Sequence, residues 1–79
     1  MRYEQIRFTD HARKRMRRRK ISRAQVIRTL QNPTLHYTSY DKLVAQGETG
    51  ANNTIFVYYV ELAEGEALVI SVKRRAGRG

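Results

Sequence analysis

The stretch Ser22-Arg-Ala-Gln-Val-Ile-Arg-Thr-Leu-Gln-Asn-Pro33 divides the chain into two kinds of pattern. Ser22 and Gln25 fit a capping box, in which each side chain takes a free backbone N–H at a helix start. Ile21 before the cap and Val26 four residues after it suit a hydrophobic staple. Val26, Ile27 and Leu30, with Ala24 beside them, form an apolar face at helical spacing. The helix stops at Asn32-Pro33, because proline pushes the preceding residue out of helical geometry. Beyond Pro33 the apolar period becomes alternating.

Upstream lies Thr9-Asp-His-Ala-Arg-Lys-Arg-Met-Arg-Arg-Arg-Lys20. Thr9 reads as an N-cap, and Asp10 suits the positive end of a helix dipole. Phe8, Ala12 and Met16 recur every four residues as a core-facing stripe, which predicts a helix over residues 10–19. His11, Arg15 and Arg18 form a second stripe beside the first. Seven basic residues between Arg13 and Lys20 repel one another, so this helix needs tertiary support or a bound anion. Residues 1–7 offer a short extended or irregular lead-in, with Tyr3 and Ile6 available for packing.

Downstream, residues 35–39 and 43–46 read as short strands joined around Tyr40-Asp-Lys42. Residues 47–53 read as a turn-rich loop. Residues 54–62, dense in β-branched and aromatic side chains, are the strongest strand. Residues 63–66 close a hairpin, residues 67 to about 75 return, and residues 76–79 read as a frayed tail. In the returning strand, alternation points Leu68, Ile70 and Val72 toward the helices and Val69, Ser71 and Lys73 away. The expected fold is one α+β domain over residues 1–79, with two N-terminal helices on one face of a four-stranded antiparallel sheet.

Composition narrows the function. A chain of 79 residues supports one modest core. With no cysteine and only two histidines, disulfides and a Cys-based zinc site are excluded and no metal or other cofactor is expected. There is no long apolar run, so no membrane segment is read and a cytoplasmic protein is the expectation. The net charge of +9 is uneven. Residues 1–31 carry eleven basic and two acidic side chains, residues 32–72 one and five, and residues 73–79 four and none. Two basic poles around an acidic middle favour a polyanion, RNA first and DNA second, or an acidic protein partner. A solvated basic surface is the plainer alternative.

The residues Phe8-Thr9, His11-Ala12, Arg15-Met16, Arg18, Ile21-Ser22, Val26 and Asn32-Pro33 together resemble the small domains called domain of unknown function 4258. The closing Leu68-Val-Ile-Ser-Val-Lys-Arg74 is similar to that family's last strand, where a Thr commonly stands at the place of Ser71. The resemblance implies a barnase–colicin–RelE-like fold, whose members include metal-independent ribonucleases, often toxins held by an antitoxin. It implies His11, Arg15, Arg18 and Ser71 as positions to test.

Cleaving RNA without a metal needs a base, an acid and cations for the phosphate. His11 is the acid/base candidate of the basic stretch, because imidazole titrates nearest neutral pH. Arg15 and Arg18 suit phosphate in fork geometry. Arg19, Lys73, Arg74 and Arg75 extend the cradle, with Ser71 as a hydrogen-bond donor. The expectation is one groove holding His11, Arg15, Arg18, Ser71 and Lys73. His36 reads as a partnerless surface residue. Tyr37, Tyr40, Tyr58 and Tyr59 suit base stacking, but strand packing is the favoured reading for most of them. Three functions follow: an RNA-directed endoribonuclease of toxin type, a non-catalytic nucleic-acid-binding module, or a domain for an acidic antitoxin-like partner.

Overall fold

The computed structural model describes residues 3–49 and 53–76. Its elements are β1 (Gln5–Phe8), α1 (Asp10–Arg19), α2 (Arg23–Gln31), β2 (Leu35–Ser39), β3 (Lys42–Thr49), β4 (Asn53–Ala63) and β5 (Glu66–Ala76). All five strands join one sheet in the order β1-β5-β4-β3-β2. β1 runs parallel to β5, and the other neighbours are antiparallel. The domain is α+β, but the expected four antiparallel strands are corrected to five in a mixed sheet. The difference is the lead-in: Gln5–Phe8 pairs with residues 66–69, a partner at the far end of the chain. Four residues carry too little local pattern to announce that pairing. β3 also runs on through Gly47 to Thr49, and β5 through Ala76. β4 begins at Asn53, the last residue of the expected loop; residues 50–52 of that loop and residues 77–79 of the expected tail lie outside the described residues. No described helix is long and apolar enough to cross a membrane.

Both helix starts form as their residues dictate. The Thr9 hydroxyl accepts from Ala12 N–H at 3.0 Å and donates to the Ile70 carbonyl at 3.1 Å, so one side chain caps α1 and ties it to β5. Ser22 and Gln25 exchange both bonds of the capping box, at 2.9 and 3.1 Å. Between the helices, Lys20 adopts a left-handed conformation with φ of 57°. Its N–H reaches Arg17 and the N–H of Ile21 reaches Met16, the bond pair of a Schellman motif with lysine in glycine's usual place. Met16 and Ile21 are both buried, which supplies the apolar contact that accompanies the motif.

α1 packs on β5 and α2 packs on β3 and β4. Ala12 and Met16 of α1 and Val26 and Leu30 of α2 meet Ala45, Ile55, Val57, Tyr59, Val69 and Val72 in one core. The buried stripe of α2 is Val26, Thr29 and Leu30, while Ile27 is half-buried and Ala24 exposed. The stripe is thus rotated from the expected one toward Thr29.

The expected facing of β5 is also corrected. Tyr58 pairs with Ser71 but Tyr59 pairs with Val69, so Ile70 is the extra residue of a β-bulge. The bulge switches the parity of the strand. Ala67 and Val69 face the core before it, Val72 after it, and Leu68 and Ile70 are only half-buried. Ser71 and Lys73 keep their expected direction, away from the core.

Gly47 shows how closely α2 approaches the sheet. A Cβ there would run into Thr29 Oγ1 and stand 2.9 Å from Thr29 Cγ2. Gly47→Ala therefore lowers stability by about 1–3 kcal/mol through overpacking. Adding Thr29→Ala removes the colliding atoms and recovers most of the loss in a urea-unfolding double-mutant cycle. Additive losses would contradict the contact.

Candidate nucleic-acid interface

The sheet face away from the helices carries the most distinctive surface. Strand alternation opposite Leu43, Ala45 and Val57 sends Val44, Gln46, Phe56 and Tyr58 to this side. From β5 come Ser71, Lys73 and Arg75, and from β2 come Leu35, Tyr37 and Ser39. Ser71, Tyr58, Val44 and Tyr37 lie in register across four strands. Val44 is fully buried yet lies outside the main core, so its neighbours on this face cover it.

Ser39, Tyr40, Lys42, Tyr58, Ser71 and Lys73 line a cleft of about 400 Å³ here. A smaller depression beside it is lined by Phe56, Tyr58, Lys73, Arg74 and Arg75. The Arg75 guanidinium stands over the Phe56 ring at 5.2 Å, a cation–π arrangement. Gln46 Nε2 donates to Tyr37 OH at 3.2 Å. Lys42 Nζ lies 3.3 Å from Asp41, an exposed pair that leaves the lysine largely free to meet another anion. Aromatic rings interleaved with ammonium and guanidinium groups offer stacking to bases and charge to phosphates. Neither histidine lines the cleft.

The expected single groove does not form around this cleft. His11 is exposed in the first turn of α1, and neither it nor Arg15 or Arg18 lines the cleft that holds Ser71 and Lys73. The reason is that α1 seats Ala12 and Met16 on the core side of β5, whereas Ser71 and Lys73 alternate to the other side. Arg18 is exposed; Arg15 and Arg19 are half-buried. Arg74 is committed elsewhere: its Nη2 donates to the Lys20 carbonyl at 2.7 Å, a cation at the negative end of α1. This bond clamps the end of β5 to the end of α1.

His36 also has a partner, contrary to expectation. Its Nε2 lies 2.6 Å from Tyr59 OH, which is 3.0 Å from Tyr3 OH, and Tyr3 donates to Glu61 at 2.8 Å. Tyr3 and Tyr59 are buried, and their rings meet edge to face at 5.6 Å. Buried tyrosine hydroxyls need such partners, so this network anchors Tyr3, two residues before β1, to the sheet. Among the described residues no three His, Asp or Glu side chains gather in a group that would hold a metal ion.

Sequence reasoning missed the cleft because it assigned the tyrosines mainly to packing. The signal was present in the alternation of residues 56–59 and of Ser71, Lys73 and Arg75, which sends ring and charge to one face. Comparison with curated proteins and with solved structures returns no match. A family model described as Domain of unknown function (DUF4258) matches residues 8–74, a span from the end of β1 to near the end of β5 that holds both helices, His11 and Ser71. The chain belongs to the DUF4258 family.

Proposed function

We propose that this protein binds RNA through a basic surface made jointly by α1 and the end of β5. One observation carries the reading. Residues 13–20 hold seven basic side chains and residues 73–75 hold three, which is ten of the sixteen in the chain. These two segments, distant in sequence, meet where Arg74 donates to Lys20. Their fields therefore add. Glu4, Glu61, Glu64 and Glu66 belong to the other end of the β4–β5 hairpin, where Glu4 N–H bonds the Gly65 carbonyl. A molecule 39 Å long with such poles orients a polyanion before contact.

A second reading adds catalysis, as a metal-independent endoribonuclease of toxin type within the barnase–colicin–RelE-like group. It is favoured by the exposed position of His11 beside the basic surface, where an imidazole meets bound RNA from solvent. Arg15 and Arg18 follow on the same helix side as phosphate ligands. An acidic antitoxin-like protein would dock on the same charge.

The test has two parts. Fluorescence anisotropy with a single-stranded RNA is expected to give an affinity that falls linearly on a log–log salt plot, by about 0.7 per phosphate contact. Binding that ignores salt, or none at low salt, removes the nucleic-acid reading. Incubation with RNA in EDTA, beside His11→Ala, decides catalysis: no cleavage by either protein, or equal cleavage by both, eliminates His11 as catalyst.

A further inference from the structure

We propose that the open-face cleft takes unpaired bases of a single strand, with Tyr40 and Tyr58 as stacking platforms and Lys42 and Lys73 as phosphate contacts. The proposal rests on the nucleic-acid reading above and names the form of strand the protein accepts. Tyr40 is the central observation. It occupies the first position of the two-residue turn between β2 and β3, with φ of 58° and 98% of its surface exposed. Left-handed backbone at that position is natural to Gly, Asn or Asp and costly for a bulky side chain. The ring recovers nothing from its own fold, since it is almost wholly in solvent. A strained residue with an exposed aromatic ring at the mouth of a cleft points to a ligand.

The rest of the cleft fits that ligand. Tyr58 is half-buried on the cleft floor, in register between Val44 and Ser71, so its ring is held in place. The volume of about 400 Å³ lies in the range of small-ligand clefts. Ser39 and Ser71 offer hydroxyls to base edges, and Lys42 and Lys73 offer charge without fixed geometry. The Phe56–Arg75 pair continues the same chemistry along β4 and β5. Bases within a duplex are already stacked, and the A-form major groove is closed to side chains, so only unpaired bases reach these rings.

The experiment compares wild type, Tyr40→Gly and Tyr58→Leu against three labelled probes: oligouridylate, its duplex with oligoadenylate, and oligothymidylate. Tyr40→Gly relieves the left-handed strain, so its thermal midpoint stays equal or rises. Its affinity for oligouridylate falls about 5- to 150-fold, the range for losing one stacked base. The salt slope stays unchanged because no phosphate contact is lost, and duplex affinity stays unchanged. Tyr58→Leu keeps apolar cover over Val44 and gives the same selective loss. Equal losses on thymidylate assign the site to single strands of either sugar; a smaller loss there assigns it to RNA, and both support stacking. Unchanged oligouridylate affinity in both variants, or equal loss on the duplex, overturns the stacking site while leaving phosphate binding intact. Absence of salt-dependent binding by wild type to every probe overturns the underlying reading instead.

Discussion

Leu30→Ala lowers the unfolding free energy by about 2–5 kcal/mol, the cost of a fully buried leucine whose cavity only partly collapses. Leu30 has no exposed surface and lies on the stripe of α2 that packs on β3 and β4, in the core with Ala45, Ile55 and Val57. A domain of this size has roughly 4–12 kcal/mol in total, at about 0.05–0.15 kcal/mol per residue. The substitution therefore consumes a large share of it. In urea the midpoint drops while the slope with denaturant stays the same, because the surface exposed on unfolding hardly changes. Leu35→Ala is the matched control. Leu35 is 53% exposed on the edge strand β2, and its loss changes stability by no more than about 0.5 kcal/mol. Equal effects at the two leucines would contradict the packing of α2.

Replacing Arg15, Arg18, Lys73 and Arg75 together by glutamine has the largest effect on function. Each phosphate contact on a single strand contributes about 0.7 to the salt slope, which near 0.1 M salt is about a fivefold contribution to affinity. If all four side chains bind phosphate, the slope falls by about 3 and RNA binding weakens several hundredfold, to about 1/600. The fold survives. Arg18, Lys73 and Arg75 are exposed and Arg15 is half-buried, and thinning the like charges of α1 relieves repulsion along the helix. A circular-dichroism melt checks this. Glu61→Gln with Glu64→Gln, at the acidic end, leaves the slope unchanged. A quadruple variant that binds as well as wild type would place the RNA elsewhere.

These two results probe unequally legible parts of the molecule. The capping box at Ser22 and Gln25, the Thr9 cap and the stop at Pro33 were readable because each depends on atoms a few residues apart. The strands from Leu35 onward were readable from alternation and composition. The candidate site was readable only in part. Its cations and aromatic rings stood in the sequence, and alternation put Ser71, Lys73 and Arg75 on one side of their strand, but which rings of the neighbouring strands lie beside them did not.

The sequence by itself determined that this is a small basic α+β domain, because local propensity, capping and charge act over a few residues. Only the tertiary structure decided three things. β1 closes the sheet beside β5, a pairing between opposite ends of the chain. The bulge at Ile70 sets which side chains of β5 meet the helices, since one extra residue reverses the alternation. Lys73 and Ser71 then face Tyr40 and Tyr58 across the sheet, while His11, Arg15 and Arg18 stay with α1. Register and long-range pairing depend on atoms far apart in the chain, and so no local pattern specifies them.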